Sequence, residues 1–116
     1  MQWLVIIPTY NEKDNIEAII KEVLAQDKIL DILIVDDNSP DKTYEIVEQL
    51  MQNNDRIKLL KRAGKLGLGS AYVEGFRYAL EHSYEGIIQM DADFSHDPKV
   101  IPEMLEEIKK YDYVIG

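Results

Sequence analysis

Short apolar runs alternate with amphipathic stretches along the whole chain. Trp3–Ile7 is a continuous apolar run of strand length, and Asp31–Val35 is a second. Ile57–Lys61 is a weaker third, Gly86–Met90 a fourth, and Tyr113–Ile115 a fifth. The segments between them repeat apolar residues at helical spacing. Ile16, Ile19, Ile20, Val23 and Leu24 follow the i, i+3, i+4, i+7, i+8 pattern. Tyr44, Val47 and Met51 form a second stripe with Leu50 beside it. Tyr72, Phe76, Ala79 and Leu80 form a third, and Ile101, Met104, Leu105 and Ile108 a fourth. Asn11 is placed to cap the first helix. Ser39-Pro40 and Asp97-Pro98 each set a capping side chain before a proline at the first helical position.

The predicted order is therefore β-α-β-α-β-α-β-α-β. Strands that alternate with crossover helices give an α/β fold, a Rossmann-like parallel sheet covered by helices on both faces. No repeat, low-complexity tract or linker interrupts it, so residues 1–116 read as one domain or one part of a domain.

Composition narrows the partners. With 46% hydrophobic residues the chain is not disordered. Its net charge of -9 repels nucleic acid and anionic lipid, so neither is expected as a partner. A phosphorylated ligand would then need a divalent cation or a local basic cluster. The chain has no cysteine, which excludes disulfides, thiolate metal sites and a cysteine nucleophile. The N-terminal apolar run is too short to span a bilayer and lacks a basic flank. A soluble, cytoplasmic chain is the expectation.

In a doubly wound sheet, ligands bind beyond the carboxyl ends of the strands. Pro8-Thr9-Tyr10-Asn11-Glu12 follow the first strand, and Asp36-Asp37-Asn38-Ser39-Pro40-Asp41 the second. Asp91-Ala92-Asp93-Phe94-Ser95-His96 follow the fourth. Acids gathered at one edge repel one another unless something cationic sits among them. Asp91 and Asp93 leave the same face of an extended segment, about 6.6 Å apart. Two carboxylates at that separation suit one hard divalent cation, Mg²⁺ or Mn²⁺, although Asp-x-Asp also reads as a polar turn. Asp36 and Asp37 fit a turn and helix cap as well as they fit acceptors for a base or ribose. Tyr10 can stack on a base or lie half-buried, and Glu12 can contact a ligand or favour a helix N-terminus. The one basic, glycine-rich stretch runs from Lys61 to Ser70. It is neither a Gly-x-Gly-x-x-Gly nor a Walker A loop, yet it precedes a helix N-terminus, where Lys65 can meet a phosphate. His82 reads as a surface helix residue. No serine has a paired histidine and acid, so hydrolase chemistry is set aside.

Four segments together resemble the family 2 glycosyltransferases in order and spacing: Pro8 to Glu12, Val35 to Asp41, Gly64 to Tyr72, and Met90 to Pro98. The branch they resemble most is the polyprenyl-phosphate (dolichyl-phosphate) mannose synthases. The resemblance implies a GT-A fold, GDP-mannose as donor, a polyprenyl phosphate as acceptor and inversion at the anomeric carbon. By the same resemblance Pro8, Tyr10 and Glu12 line the nucleotide pocket, and Val35 and Asp37 hold the base and ribose. Asp91, Ala92 and Asp93 meet the diphosphate and metal, and Ser95 adds a metal contact. Members of the family run well beyond 116 residues. Residues 1–116 are thus expected to be the nucleotide-sugar-binding part, which binds donor but transfers sugar poorly. Acceptor and membrane contact would fall to the other half. The competing expectations are a family 2 enzyme using a UDP-sugar, a receiver-type Mg²⁺-binding signalling domain, and a donor-binding module without catalysis.

Overall fold

A computed structural model of the chain describes residues 2–64 and 67–90, apart from the Leu68 side chain. The predicted helix at 101–108 and the fifth strand lie outside these residues. Within them the order is β1 (Trp3–Thr9), α1 (Ile16–Leu24), β2 (Leu30–Asp36), α2 (Thr43–Met51), β3 (Ile57–Lys61), α3 (Leu68–Glu81) and β4 (Gly86–Gln89). The strands form one sheet in the order β3-β2-β1-β4, and every neighbouring pair is parallel. This is the doubly wound order, with its reversal between β1 and β4. A receiver-type sheet, in the order 2-1-3-4-5, would set β1 beside β3. Here β1 lies between β2 and β4, so the topology departs from the receiver alternative.

Both faces of the central strands are apolar because both are covered. Trp3, Val5 and Ile7 of β1 point with Ile32 and Ile34 of β2 into a core closed by Ile16, Ile19, Ile20, Val23 and Val47 from α1 and α2. Leu4, Ile6, Leu33 and Val35 point the other way, under Ala71 and Ala79 of α3. A right-handed crossover from β3 back across the sheet to β4 must lie on the opposite face from α1 and α2, which is where α3 sits. Its inner face differs from the predicted stripe. Ala71, Gly75 and Ala79 are buried, whereas Leu80 is 79% exposed. Small residues at every fourth position let α3 approach the sheet closely. A Cβ on Gly75 would lie 2.6 Å from Ile6 Cγ2. Tyr72, Phe76 and Tyr78 then pack beside that line.

The helices also begin later than their cap signals predict. Asn11 does not cap α1, which starts at Ile16. Its backbone is left-handed, with φ 56°, and its side chain accepts a hydrogen bond from the Asp41 amide instead. Ser39-Pro40 does not open α2, which starts at Thr43. The N-cap position falls to Lys42, and Asp41 just before it accepts from the Thr43 amide at 3.0 Å.

At the opposite edge of the sheet, the Tyr84 hydroxyl donates to Asp31 at 2.7 Å and Gln2 donates to the other oxygen at 3.1 Å. Burial, and then the hydrogen bond to anionic Asp31, push the Tyr84 phenol well above the ordinary tyrosine value. The folded chain therefore holds this proton more tightly than the unfolded chain does. Its contribution to stability is complete below about pH 10 and is lost as pH rises through the folded value. Tyr84→Phe should blunt that loss, so urea midpoints at about pH 9 and about pH 11 should differ less in the variant than in the parent. Equal alkaline losses in the two proteins would remove this account of Tyr84.

Candidate donor-binding site at the strand ends

The carboxyl edge of the sheet is built from three segments that grip one another. Asp36 ends β2 fully buried, and its carboxylate accepts three hydrogen bonds. Oδ1 takes the Thr9 hydroxyl at 2.6 Å and the Ser39 hydroxyl at 2.7 Å, and Oδ2 takes the Ser39 amide at 2.9 Å. Of the two uses open to Asp36 in the sequence, the structure assigns it the turn.

The loop after β1 is fastened to the loop after β2. The Asn11 amide donates to Ser39 Oγ, the Glu12 amide to Thr43 Oγ1 and the Lys13 amide to Asp41 Oδ2, each at 3.0 Å. The hydroxyl and amide of Thr43, the Lys13 amide and the Lys13 charge together hold the Asp41 carboxyl below its ordinary value, outweighing desolvation, the largest single influence, which pushes it up. The backbone donors of Asn11, Glu12 and Lys13 are thus satisfied by side chains distant in sequence.

Asp37 behaves differently from Asp36. Its amide donates to Thr9 O at 3.1 Å, and its carboxylate is nearly buried. Arg62 Nε, just past β3, donates to Asp37 Oδ1 at 2.6 Å, and the Gly67 amide donates to Oδ2 at 3.3 Å. Arg62 is the residue that sequence reasoning missed. It lies in the glycine-rich stretch, although two adjacent parallel strands followed at once by Asp37 and Arg62 are a legible signal.

Pro8 lies one residue from the end of β1, half-buried. The Met90 amide donates to Ile6 O at 3.0 Å, so alternate residues of β1 bond towards β4. Pro8 is next in that series and has no N–H to offer. Among the described residues the last β1–β4 register pair is Ile6↔Gln89, at the point where strand order reverses, which is where doubly wound sheets bind ligands. Tyr10 and Glu12 are half-buried in the loop above it. Val35 is fully buried under α3. Lys65, Asp91, Ala92, Asp93 and Ser95 lie outside the described residues, as does His96. The described residues hold no group of three His, Asp or Glu side chains able to bind a metal. His82 is exposed at the end of α3, stacked on Tyr78 at 3.9 Å, as a surface residue should be. A cleft of about 410 Å³ lined by Asp31, Lys58, His82 and Tyr84, and one of about 290 Å³ lined by Glu74, Arg77 and Glu81, contain none of the predicted ligand-binding residues.

Comparison with known proteins decides what the site belongs to. Residues 4–116 match the model of glycosyl transferase family 2. The chain belongs to that family. The family 2 chain is 40% identical over its full length to the undecaprenyl-phosphate mannosyltransferase of Micrococcus luteus, of which it spans 48%. It is 41% identical over 106 residues to the polyprenol monophosphomannose synthase of Mycolicibacterium smegmatis, covering 90% of this chain and 40% of that protein. The chain thus spans about half the length of these curated relatives, or somewhat less. Among solved structures, the fold matches the mannosyltransferase PcManGT of Pyrobaculum calidifontis in complex with GDP-Man and Mn²⁺, with a TM-score of 0.79 at 24% identity over 92% of this chain and 32% of that one. It also matches residues 1–349 of TarS from S. aureus, with a TM-score of 0.77 at 25% identity over 96% of this chain and 33% of that one. The family 2 chain accordingly has the GT-A fold. Among the described residues no helix is long and apolar enough to cross a membrane.

Proposed function

We propose that residues 1–116 are the nucleotide-sugar-binding part of an inverting mannosyltransferase that moves mannose from GDP-mannose to a polyprenyl phosphate. The observation that supports it most is the pairing of β4 beside β1 at the reversal of strand order, with the Met90 amide donating to Ile6 O. It sets the residue that precedes Asp-Ala-Asp at the crevice of the sheet. The two polyprenyl-phosphate mannosyltransferase relatives support the same donor sugar and acceptor class.

In this reading Val35 and Asp37 hold the nucleoside, Asp37 by accepting hydrogen bonds from it, Tyr10 stacks on it, and Pro8 and Glu12 line the pocket. Lys65 meets a phosphate. Asp91, Asp93 and Ser95 are an all-oxygen donor set, the chemistry that suits Mg²⁺ or Mn²⁺. When bound, such an ion neutralises the diphosphate and helps it leave. The acceptor phosphate is already anionic, so no strong general base is required. It attacks the anomeric carbon from the side opposite the nucleotide, which inverts that centre. The acceptor half completes the enzyme and carries the contact with the cytoplasmic face of the membrane.

Calorimetric titration with GDP-mannose, in the presence of Mn²⁺ or Mg²⁺ and then with chelator, tests the reading. Binding should be metal-dependent and should fall by roughly 100-fold or more in Asp91→Asn/Asp93→Asn, the scale of a lost metal contact. Unchanged affinity in that variant would sink it. A UDP-sugar arm is included because another TarS structure holds UDP. Tighter binding of the UDP-sugar would replace GDP-mannose as donor.

A further inference from the structure

The arrangement around Arg62 has no role in the scheme above. Among the described residues it is the buried basic side chain, 5% exposed in a chain of net charge -9. Its backbone amide donates to Asp36 O at 2.8 Å, which fixes where the side chain starts. The guanidinium then reaches three partners. Nε donates to Asp37 at 2.6 Å, one terminal nitrogen to Ser70 Oγ at 2.7 Å, and the other to Gly67 O at 3.0 Å. Glu74 Oε1 stands 3.7 Å away, one helical turn past Ser70. The Gly67 amide returns to Asp37 Oδ2 and closes a ring through the end of β2, the end of β3 and the start of α3. A planar fork with fixed donor directions sets the orientation of everything it bonds, which a flexible ammonium does not.

We propose that Arg62 is a positioning residue of the nucleotide-sugar pocket. It locks the Asp37 carboxylate and the first turn of α3 in one arrangement, and it does so without touching the donor. The proposal rests on the reading that Asp37 meets the nucleoside. Lys65 lies in the chain between Arg62 and Gly67, so the same clamp bounds the segment proposed to meet a phosphate.

The test is GDP-mannose titration, with Mn²⁺, of the full-length protein and its variants. Arg62→Met should weaken binding roughly tenfold, the size of a coupling carried by a shared hydrogen-bond network. Arg62→Lys should recover only part of that, because one ammonium cannot span three partners. Millimolar ethylguanidine should restore affinity to Arg62→Ala, an outcome that a generally loosened fold would not give. The losses in Arg62→Met and Asp37→Asn should fail to add. If Arg62→Met does not fold, Ser70→Ala removes a single arm of the fork and should still weaken binding by a few fold. Wild-type affinity in folded Arg62→Met or in Ser70→Ala, or strictly additive losses, would overturn the proposal, as would a donor complex with Arg62 turned onto the nucleotide. Absence of GDP-mannose binding by the unmodified protein would overturn the donor reading and this proposal together. Normal binding with indifferent variants would overturn this one alone.

Discussion

Gly86→Ala is expected to destabilise the protein by about 3 kcal/mol, at the upper end of overpacking effects. The added Cβ would stand 2.2 Å from three atoms of the Trp3 indole, which lies flat against the strand opposite its register partner. A flexible side chain could swing aside, but a buried indole in a close-packed core cannot do so without shifting β1 or β4. The drop should appear as a lower urea midpoint with an unchanged m-value. Trp3→Leu should cost stability alone and yet restore much of the loss when combined with Gly86→Ala, giving a large coupling in a double-mutant cycle. Among the described residues the indole Nε1 is buried without a partner, so removing it also relieves an unmet donor. Additive effects of the two substitutions would show that the ring and the glycine do not meet as described.

Asp36→Ala should cost about 4 kcal/mol, beyond the usual range for a single substitution. It would leave the Thr9 hydroxyl, the Ser39 hydroxyl and the Ser39 amide buried without their acceptor. Asp36→Asn keeps the shape but offers one acceptor oxygen where donors approach two. With its oxygen on the Ser39 amide, the Asn side chain turns its NH2 to the Thr9 and Ser39 hydroxyls, which then accept and leave their own protons without Asp36 as acceptor, and about half the loss should remain. Thr9→Val/Asp36→Ala should be less unstable than the sum of its parts, because one orphaned hydroxyl is gone. Chemical denaturation of the four proteins checks this, and a loss below about 1 kcal/mol for Asp36→Ala would mean that water or a rearranged turn meets those donors.

Much of this architecture was legible in the chain. The strands from 3, 31, 57 and 86 and the α1 stripe Ile16, Ile19, Ile20 and Val23 all appear where apolar spacing predicts them. Spacing reports burial against the nearest layer, and here that layer dominates. The helix starts were misread because cap rules consider neighbours in sequence. Asn11 and Ser39 are drawn instead into bonds spanning 30 and 28 positions. Leu80 was assigned to the core because an amphipathic stripe looks for large residues, whereas the inner line of α3 is Ala71, Gly75 and Ala79. In the site, spacing alone left Asp36 and Asp37 equivalent. Their difference depends on whether hydroxyls or a guanidinium face each carboxylate, which only the packing of three loops decides.

The tie between residues 11–13 and residues 39–43 has a bearing on the exchange of segments between family members. Loops that move independently can be exchanged one at a time between related enzymes. These two share their polar partners so closely that a graft of one alone would strand amides on the other. Recombination between relatives should therefore succeed when both segments travel together and fail when they are split, even where each loop sequence is acceptable in its own parent.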